Sequence, residues 1–173
     1  MDTYTFTVVI DGDAGTDENI DALFEAGCDD ATFSHSSAIS YGDFDREAES
    51  LFDAVLSAIE VVESVGGLRV RRVDSDDFVT VPEIAERLGR SRQSVYQLVN
   101  GERGAGDFPA AVSSTRGKGK VWDWSEVAAW AGVDYDHERA ATIAAVNGAL
   151  ALRSAKSSLD ARPLARLLHF AAA

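Results

Sequence analysis

Two short stretches of the 173-residue chain carry side chains able to make directed hydrogen bonds. The first is Arg90-Ser91-Arg92-Gln93-Ser94, followed by Gln97, and the second is the glycine-spaced Arg116-Gly117-Lys118-Gly119-Lys120. A guanidinium presents a fork of N–H donors that matches the two acceptors on the edge of guanine, and a carboxamide presents the donor–acceptor pair that matches adenine. Arg92, Gln93 and Gln97 are therefore the candidates for reading base edges, with Arg90, Ser91 and Ser94 at the same end. Arg116, Lys118 and Lys120 suit phosphate oxygens or an adjacent minor groove, and the intervening glycines remove side chains that would hold the backbone away.

Other chemistries find less support. The acidic run Asp11–Glu18 invites a calcium loop, but an EF-hand counted from Asp11 needs glycine at its sixth position and glutamate at its twelfth, where Thr16 and Ala22 stand. A turn followed by a helix cap is the better reading. His35 would need a nucleophile and an orienting acid to act as a base, and no spacing identifies either. The lone Cys28 excludes an intrachain disulfide and a cysteine metal cluster. The expectation is a protein with no catalytic residues, no metal and no cofactor, and not an enzyme.

The basic stretches need elements to present them. Thr80-Val81-Pro82-Glu83 is a capping box, with proline in the first turn where a missing N–H costs nothing. Ile84, Ala85 and Leu88 then form one apolar stripe, Gly89 supplies a tight turn, and Ser91 can cap a second helix on which Val95, Leu98 and Val99 recur. Asn100-Gly101 stops that helix, and Gly104–Gly106 links it to Phe108-Pro109. Ala110–Thr115 and Val121–Trp124 read as strands around the basic tip, and Ser125 as the cap of a last short helix containing Val127 and Trp130. Trp122 and Trp130 are assigned to the core with Val95, Leu98 and Val99.

This order resembles the winged helix-turn-helix of excisionase-like and MerR-like DNA-binding proteins. The resemblance rests on VPEIAERLGRSRQSVYQLV, Phe108-Pro109, Trp122 and Val127–Trp130, about 50 residues. It departs at Ala110-Ala111, where such families often carry another proline. It implies a winged fold and double-stranded DNA as partner.

Net charge is −13, which suits a DNA binder only once it is divided along the chain. Residues 1–78 hold 19 acids against 4 arginines, a balance of −15, whereas residues 79–132 and 133–173 each come to +1. The acidity therefore marks a domain boundary near Asp74–Phe78, and the acidic part should face away from phosphates. Its pattern reads βαββαβ: Tyr4–Ile10 a strand, Asp17–Gly27 a helix with Ile20, Leu23 and Phe24, then strands Ala31–His35 and Ala38–Phe44. A long helix Arg46–Val65 carries Ala48, Leu51, Phe52, Val55, Ile59 and Val62 on one side, and Leu68–Val73 is the final strand. That order is the ferredoxin-like arrangement.

The fold expected is α+β in three parts: an acidic ferredoxin-like domain at 1–76, a winged helix-turn-helix domain at 77–132 and a C-terminal helical hairpin at 133–173. The hairpin begins near Asp136, breaks at Ser157-Ser158 and resumes at Asp160–Phe170. It either packs on its own winged domain or makes a homodimer contact through its alanine-rich face around Ile143–Leu152, the exposed face of the N-terminal sheet being the other candidate for self-association. No apolar run approaches the roughly 20 residues of a membrane span, and the N-terminus lacks a signal-peptide pattern, so a cytoplasmic protein without membrane contact is expected. The functional expectation is a sequence-specific DNA-binding transcriptional regulator. The alternative is a protein-binding regulator, antitoxin-like or DNA-mimic-like, whose acidic N-terminal domain masks a basic partner.

Overall fold

The chain is α+β. The computed structural model describes residues 1–36, 39–75, 78–115, 118–156 and 158–171. Of the residues discussed above, Ser37, Ala38, Asp76, Asp77, Arg116, Gly117 and Ser157 lie outside the described residues. Two compact units form, one from residues 1–74 together with 141–173, the other from residues 75–140.

The first unit contains β1 (Asp2–Asp11), α1 (Asp17–Ala26), β2 (Ala31–Ser36), β3 (Ile39–Ala48), α2 (Leu51–Ser64) and β4 (Arg69–Val73). The strands make one antiparallel sheet in the order β2-β3-β1-β4. Alternation along β1 sends Phe6, Val8 and Ile10 to one face, where they pack with Phe44 of β3, Leu23 of α1 and Ala54, Val55, Ala58 and Val62 of α2. Phe6 and Phe44 stack with ring centroids 5.4 Å apart. Both helices are capped as their sequences require: Thr16 Oγ1 accepts from the Asn19 N–H and Ser50 Oγ from the Asp53 N–H. Gly27 ends α1 at φ +104°, a conformation that side chains beyond glycine resist.

Three expectations for this unit are corrected. Arg46 and Ala48 belong to β3, not to a helix: Phe44, Arg46 and Ala48 are buried in alternation with exposed Asp43, Asp45 and Glu47, a period of two. Phe52 is 48% exposed and Phe24 65% exposed, because each lies on the flank of its helix, whereas Leu23 and the buried residues between Leu51 and Val62 reach the core. The C-terminal segment does not form a part of its own: residues 141–173 belong to the same compact unit as residues 1–74. Helix α6 (His137–Ala155) begins in the last residues of the second unit, and its Ile143, Val146 and Leu150 complete the core of the sheet unit. That apolar side is occupied within its own chain, so it does not offer the dimer contact read from Ile143–Leu152.

The reason is an edge. The outward backbone groups of β4 would be bare without α6, and an uncovered edge strand invites pairing with another chain. Asn147 Oδ1 accepts from the Val73 N–H at 2.8 Å while its Nδ2 donates to the Val73 carbonyl at 2.9 Å. Arg153 donates to the Val70 carbonyl at 3.0 Å and pairs with Glu63, whose Oε1 accepts the Val70 N–H at 2.9 Å. Beyond α6, helix α7 (Ala161–Ala171) leaves Leu167, Leu168 and Phe170 exposed.

The second unit holds β5 (Phe78–Val79), α3 (Val81–Arg87), α4 (Arg92–Val99), β6 (Ser113–Thr115), β7 (Lys118–Asp123) and α5 (Trp124–Ala131). Its sheet runs β5-β7-β6, all antiparallel, so the two residues of β5 form a third strand that the sequence pattern did not indicate. Val79, Val81, Ile84, Ala85, Val95, Trp122, Trp124, Val127 and Ala128 make its core. The last helix is capped by Asp123, whose Oδ1 accepts from the Ser125 N–H at 2.8 Å, so Trp124 starts the helix and Ser125 is its second residue. Among the described residues no helix is long and apolar enough to cross a membrane.

Candidate nucleic-acid interface

Helix α3 starts where Glu83 Oε2 accepts both the Thr80 N–H, at 2.6 Å, and the Thr80 hydroxyl, at 2.7 Å. Those bonds hold the Glu83 carboxyl below its ordinary pKa. After α3 the chain reverses at Gly89 (φ +61°), and Ser91 caps α4 by accepting the Ser94 N–H at 3.2 Å. Ala85 is buried beside Ile84 and Val95, its small side chain letting the two helices meet.

Val95 and Leu98 face the core, which turns Gln93, Tyr96, Gln97 and Asn100 outward. Arg92, Gln93 and Ser91 are exposed at the leading end, Ser94 and Gln97 half-buried. Arg92 sits on the flank of the outward face, on the Tyr96 side. Arg90 lies apart: its guanidinium stands 5.8 Å from the Trp130 ring centroid, a contact that holds the side chain against α5. Tyr96, which the sequence pattern did not single out, is 53% exposed. Its signal was available in the spacing, since it follows Arg92 by four residues and Gln93 by three.

The hairpin differs from the expected one. Strand β6 begins at Ser113, three residues later than expected, and Lys118 and Lys120 belong to β7 instead of the tip, opposite Thr115 and Ser114. Lys120 is exposed, and Arg116 lies outside the described residues. The hairpin is anchored through aromatic packing: Trp122 Nε1 donates to the Pro109 carbonyl at 3.1 Å, and Phe108 meets Trp122 and Trp130 edge-on at 6.2 and 4.9 Å. Trp122 is buried as assigned, whereas Trp130 is half-buried, with Nε1 donating to Asp107 at 3.1 Å.

Counted over the structural units, the charge is divided less sharply than along the sequence. The sheet unit carries 18 acids against 8 Arg/Lys, or −10, and residues 75–140 carry 11 against 8, or −3. Several acids of the second unit are engaged by the fold itself: Glu83 and Asp123 cap helices, Asp136 accepts the Arg139 N–H and Asp107 accepts from Trp130.

The sheet unit brings together a serine, a histidine and an aspartate that the sequence kept apart. His35 Nδ1 lies 2.9 Å from Ser40 Oγ and 3.4 Å from Asp13 Oδ1. One ring nitrogen faces both partners, whereas a relay needs the two nitrogens on opposite sides. Ser40 is fully buried, donates to the Gly12 carbonyl at 2.8 Å and accepts the Ala14 N–H at 2.9 Å. The cluster is a clip fastening the β1–α1 loop onto β3. At the other end of α1, burial pushes the Cys28 thiol above its ordinary pKa, which lowers its thiolate fraction.

No protein-family model matches the chain, and no solved structure matches it. It is similar to the uncharacterized protein ORF88 of Enterobacteria phage P4, with 38% identity over 58 residues. Those residues are 34% of this chain, and the chain spans 60% of the length of that phage protein.

Proposed function

We propose that the protein is a sequence-specific regulator of transcription that binds double-stranded DNA through residues 75–140. Helix α4 enters the major groove, with Arg92, Gln93 and Gln97 reading base edges and Ser91, Ser94 and Arg90 beside them, and the lysines of β7 meet the backbone. The observation that carries this reading is the outward polar face of α4, seated on a helix pair with a small Ala85 contact and flanked by a lysine-bearing hairpin. In this reading the unit is a winged helix-turn-helix of the excisionase-like or MerR-like type, no step of it is enzymatic and no cofactor is needed. The sheet order β2-β3-β1-β4 supports a ferredoxin-like reading of the other unit. A cytoplasmic setting accords with both.

Site selection from a randomised duplex library with the full chain tests it. Enrichment of one motif is the expected outcome, and no enrichment at low salt would remove the reading. Useful specificity calls for two half-sites and hence a homodimer. We place that contact on α7, because the apolar side chains of α6 are already in the core.

One observation favours a second reading. Asp43, Asp45 and Glu47 are exposed in a row on one face of β3, about 6.8 Å apart from two strand rises each. Such a row suits capture of a basic protein partner, as in an antitoxin or a DNA mimic.

A further inference from the structure

A groove of about 250 Å³ opens in the second unit where α4, β7 and the start of α3 meet. Pro82 and Trp122 give it apolar walls, and Tyr96, Asn100 and Lys120 bring polar groups to its mouth. Thr80 also lines it, but its amide and hydroxyl are both committed to Glu83. Among the described residues, no side-chain hydrogen bond engages Tyr96, Asn100 or Lys120. Gly119 borders the groove too, and a Cβ built on it would meet nothing in the protein.

We propose that this groove seats one deoxyribose–phosphate unit of a bound duplex, with Tyr96 donating its hydroxyl to the phosphate and Lys120 supplying the positive charge. The inference rests on the DNA-binding reading and extends it to a site distinct from the base-reading side chains. Chemistry selects the occupant. A lysine at the mouth asks for an anion, and the apolar walls suit the carbon edge of a sugar better than a free ion. Position agrees: Tyr96 lies one turn beyond Arg92 and Gln93 on α4, so a strand read by those residues continues past the phenol. Gly119 leaves open the space through which the nucleic-acid backbone would approach.

The test measures binding of the full chain to its selected duplex by fluorescence anisotropy, using Tyr96→Phe, Gly119→Ala and Lys120→Ala. Tyr96→Phe should weaken binding about tenfold, the loss of one hydrogen bond to a charged group. The factor should be equal on every duplex, and the salt dependence unchanged. Lys120→Ala should flatten the log–log salt slope by about 0.9. Gly119→Ala should weaken binding while leaving thermal unfolding where it was. A duplex carrying one methylphosphonate at the seated position should bind wild type less well, bind Tyr96→Phe with a smaller loss because Lys120 remains, and bind the Tyr96→Phe/Lys120→Ala double variant with no further loss. Wild-type affinity in both Tyr96→Phe and Gly119→Ala, while Arg92→Ala is impaired, would overturn this inference and leave the base-reading proposal standing. A changed base preference in Tyr96→Phe would also overturn it, assigning the phenol to bases. A full chain that binds no duplex would overturn both.

Discussion

Arg46 and Asp30 face each other through two hydrogen bonds of 2.7 Å each, Nε to Oδ2 and Nη2 to Oδ1. Arg46 is 7% exposed, donates also to the Gly27 carbonyl at 2.9 Å, and lies over the Phe44 ring. It thus ties the end of α1, the start of β2 and the last residues of β3 to one point. Removing one partner of a buried pair leaves the other charge without compensation. Arg46→Met should cost about 3 kcal/mol in urea unfolding, and adding Asp30→Asn to that variant should restore part of the loss. Equal midpoints for Arg46→Met and wild type would show that the pair contributes nothing.

Arg46 also shows what the sequence could and could not reveal. The alternation Phe44, Arg46, Ala48 is a strand pattern, but a buried arginine reads as a polar residue, and the apolar spacing that follows pulled the expected helix five residues too early. The βαββαβ order was legible because its strands alternate and its helices carry caps. The capping box at Thr80–Glu83 and the two helices after it were legible for the same local reasons. The partner of α6 was not, since Asn147 and Val73 lie 74 residues apart and nothing in either stretch names the other. At the candidate interface, Ser91, Arg92, Gln93, Ser94 and Gln97 gather on one end and face of α4, whereas Arg90 was drawn away by an aromatic ring of another helix.

The Glu83 cap carries a pH signature. Its carboxyl titrates below the ordinary value because it accepts the Thr80 hydroxyl and amide. A depressed folded-state pKa gives stability that is fully present above the unfolded value, about 4.3, and is lost as pH falls through the folded one. Glu83→Gln should therefore be less stable than wild type at pH 7 by about 0.5 kcal/mol, a small amount because the group is exposed to solvent. Thermal melts at descending pH should show the two proteins converging below about pH 4. A constant difference down to pH 2 would dissociate the cap from the carboxylate charge.

Base reading and backbone anchoring should separate in mutant binding. Arg92→Ala or Gln97→Ala should cost about 1–3 kcal/mol on the preferred duplex and relax preference at one position. Replacing Lys118 and Lys120 together should weaken binding to all duplexes alike and flatten the salt slope by about 2. Indistinguishable profiles for the two classes across a duplex library would count against the assignment.

Truncations should discriminate α6 from α7. Removing residues 159–173 should leave the sheet unit folded and, if α7 makes the homodimer contact, halve the mass seen by light scattering. Removing residues 137–173 takes away Ile143, Val146, Leu150 and Asn147 and should unfold or aggregate the sheet unit. Asn147→Leu alone, which keeps the bulk and strips both hydrogen bonds from Val73, should cost about 2 kcal/mol. A soluble, cooperative sheet unit lacking residues 137–173 would refute the structural role given to α6.

Residues 75–140 interrupt the sheet unit along the chain, which gives vectorial synthesis an unusual order of events. A ribosome finishes β4 first and delivers Asn147 only 74 residues later, about 4–15 s at ordinary elongation rates. Throughout that interval the nascent sheet has its β4 edge bare, while the interrupting unit emerges almost complete and can fold on its own schedule. Residues 1–74 carry 17 carboxylates against 4 arginines, so two copies of the sheet repel each other during the interval before α6 arrives.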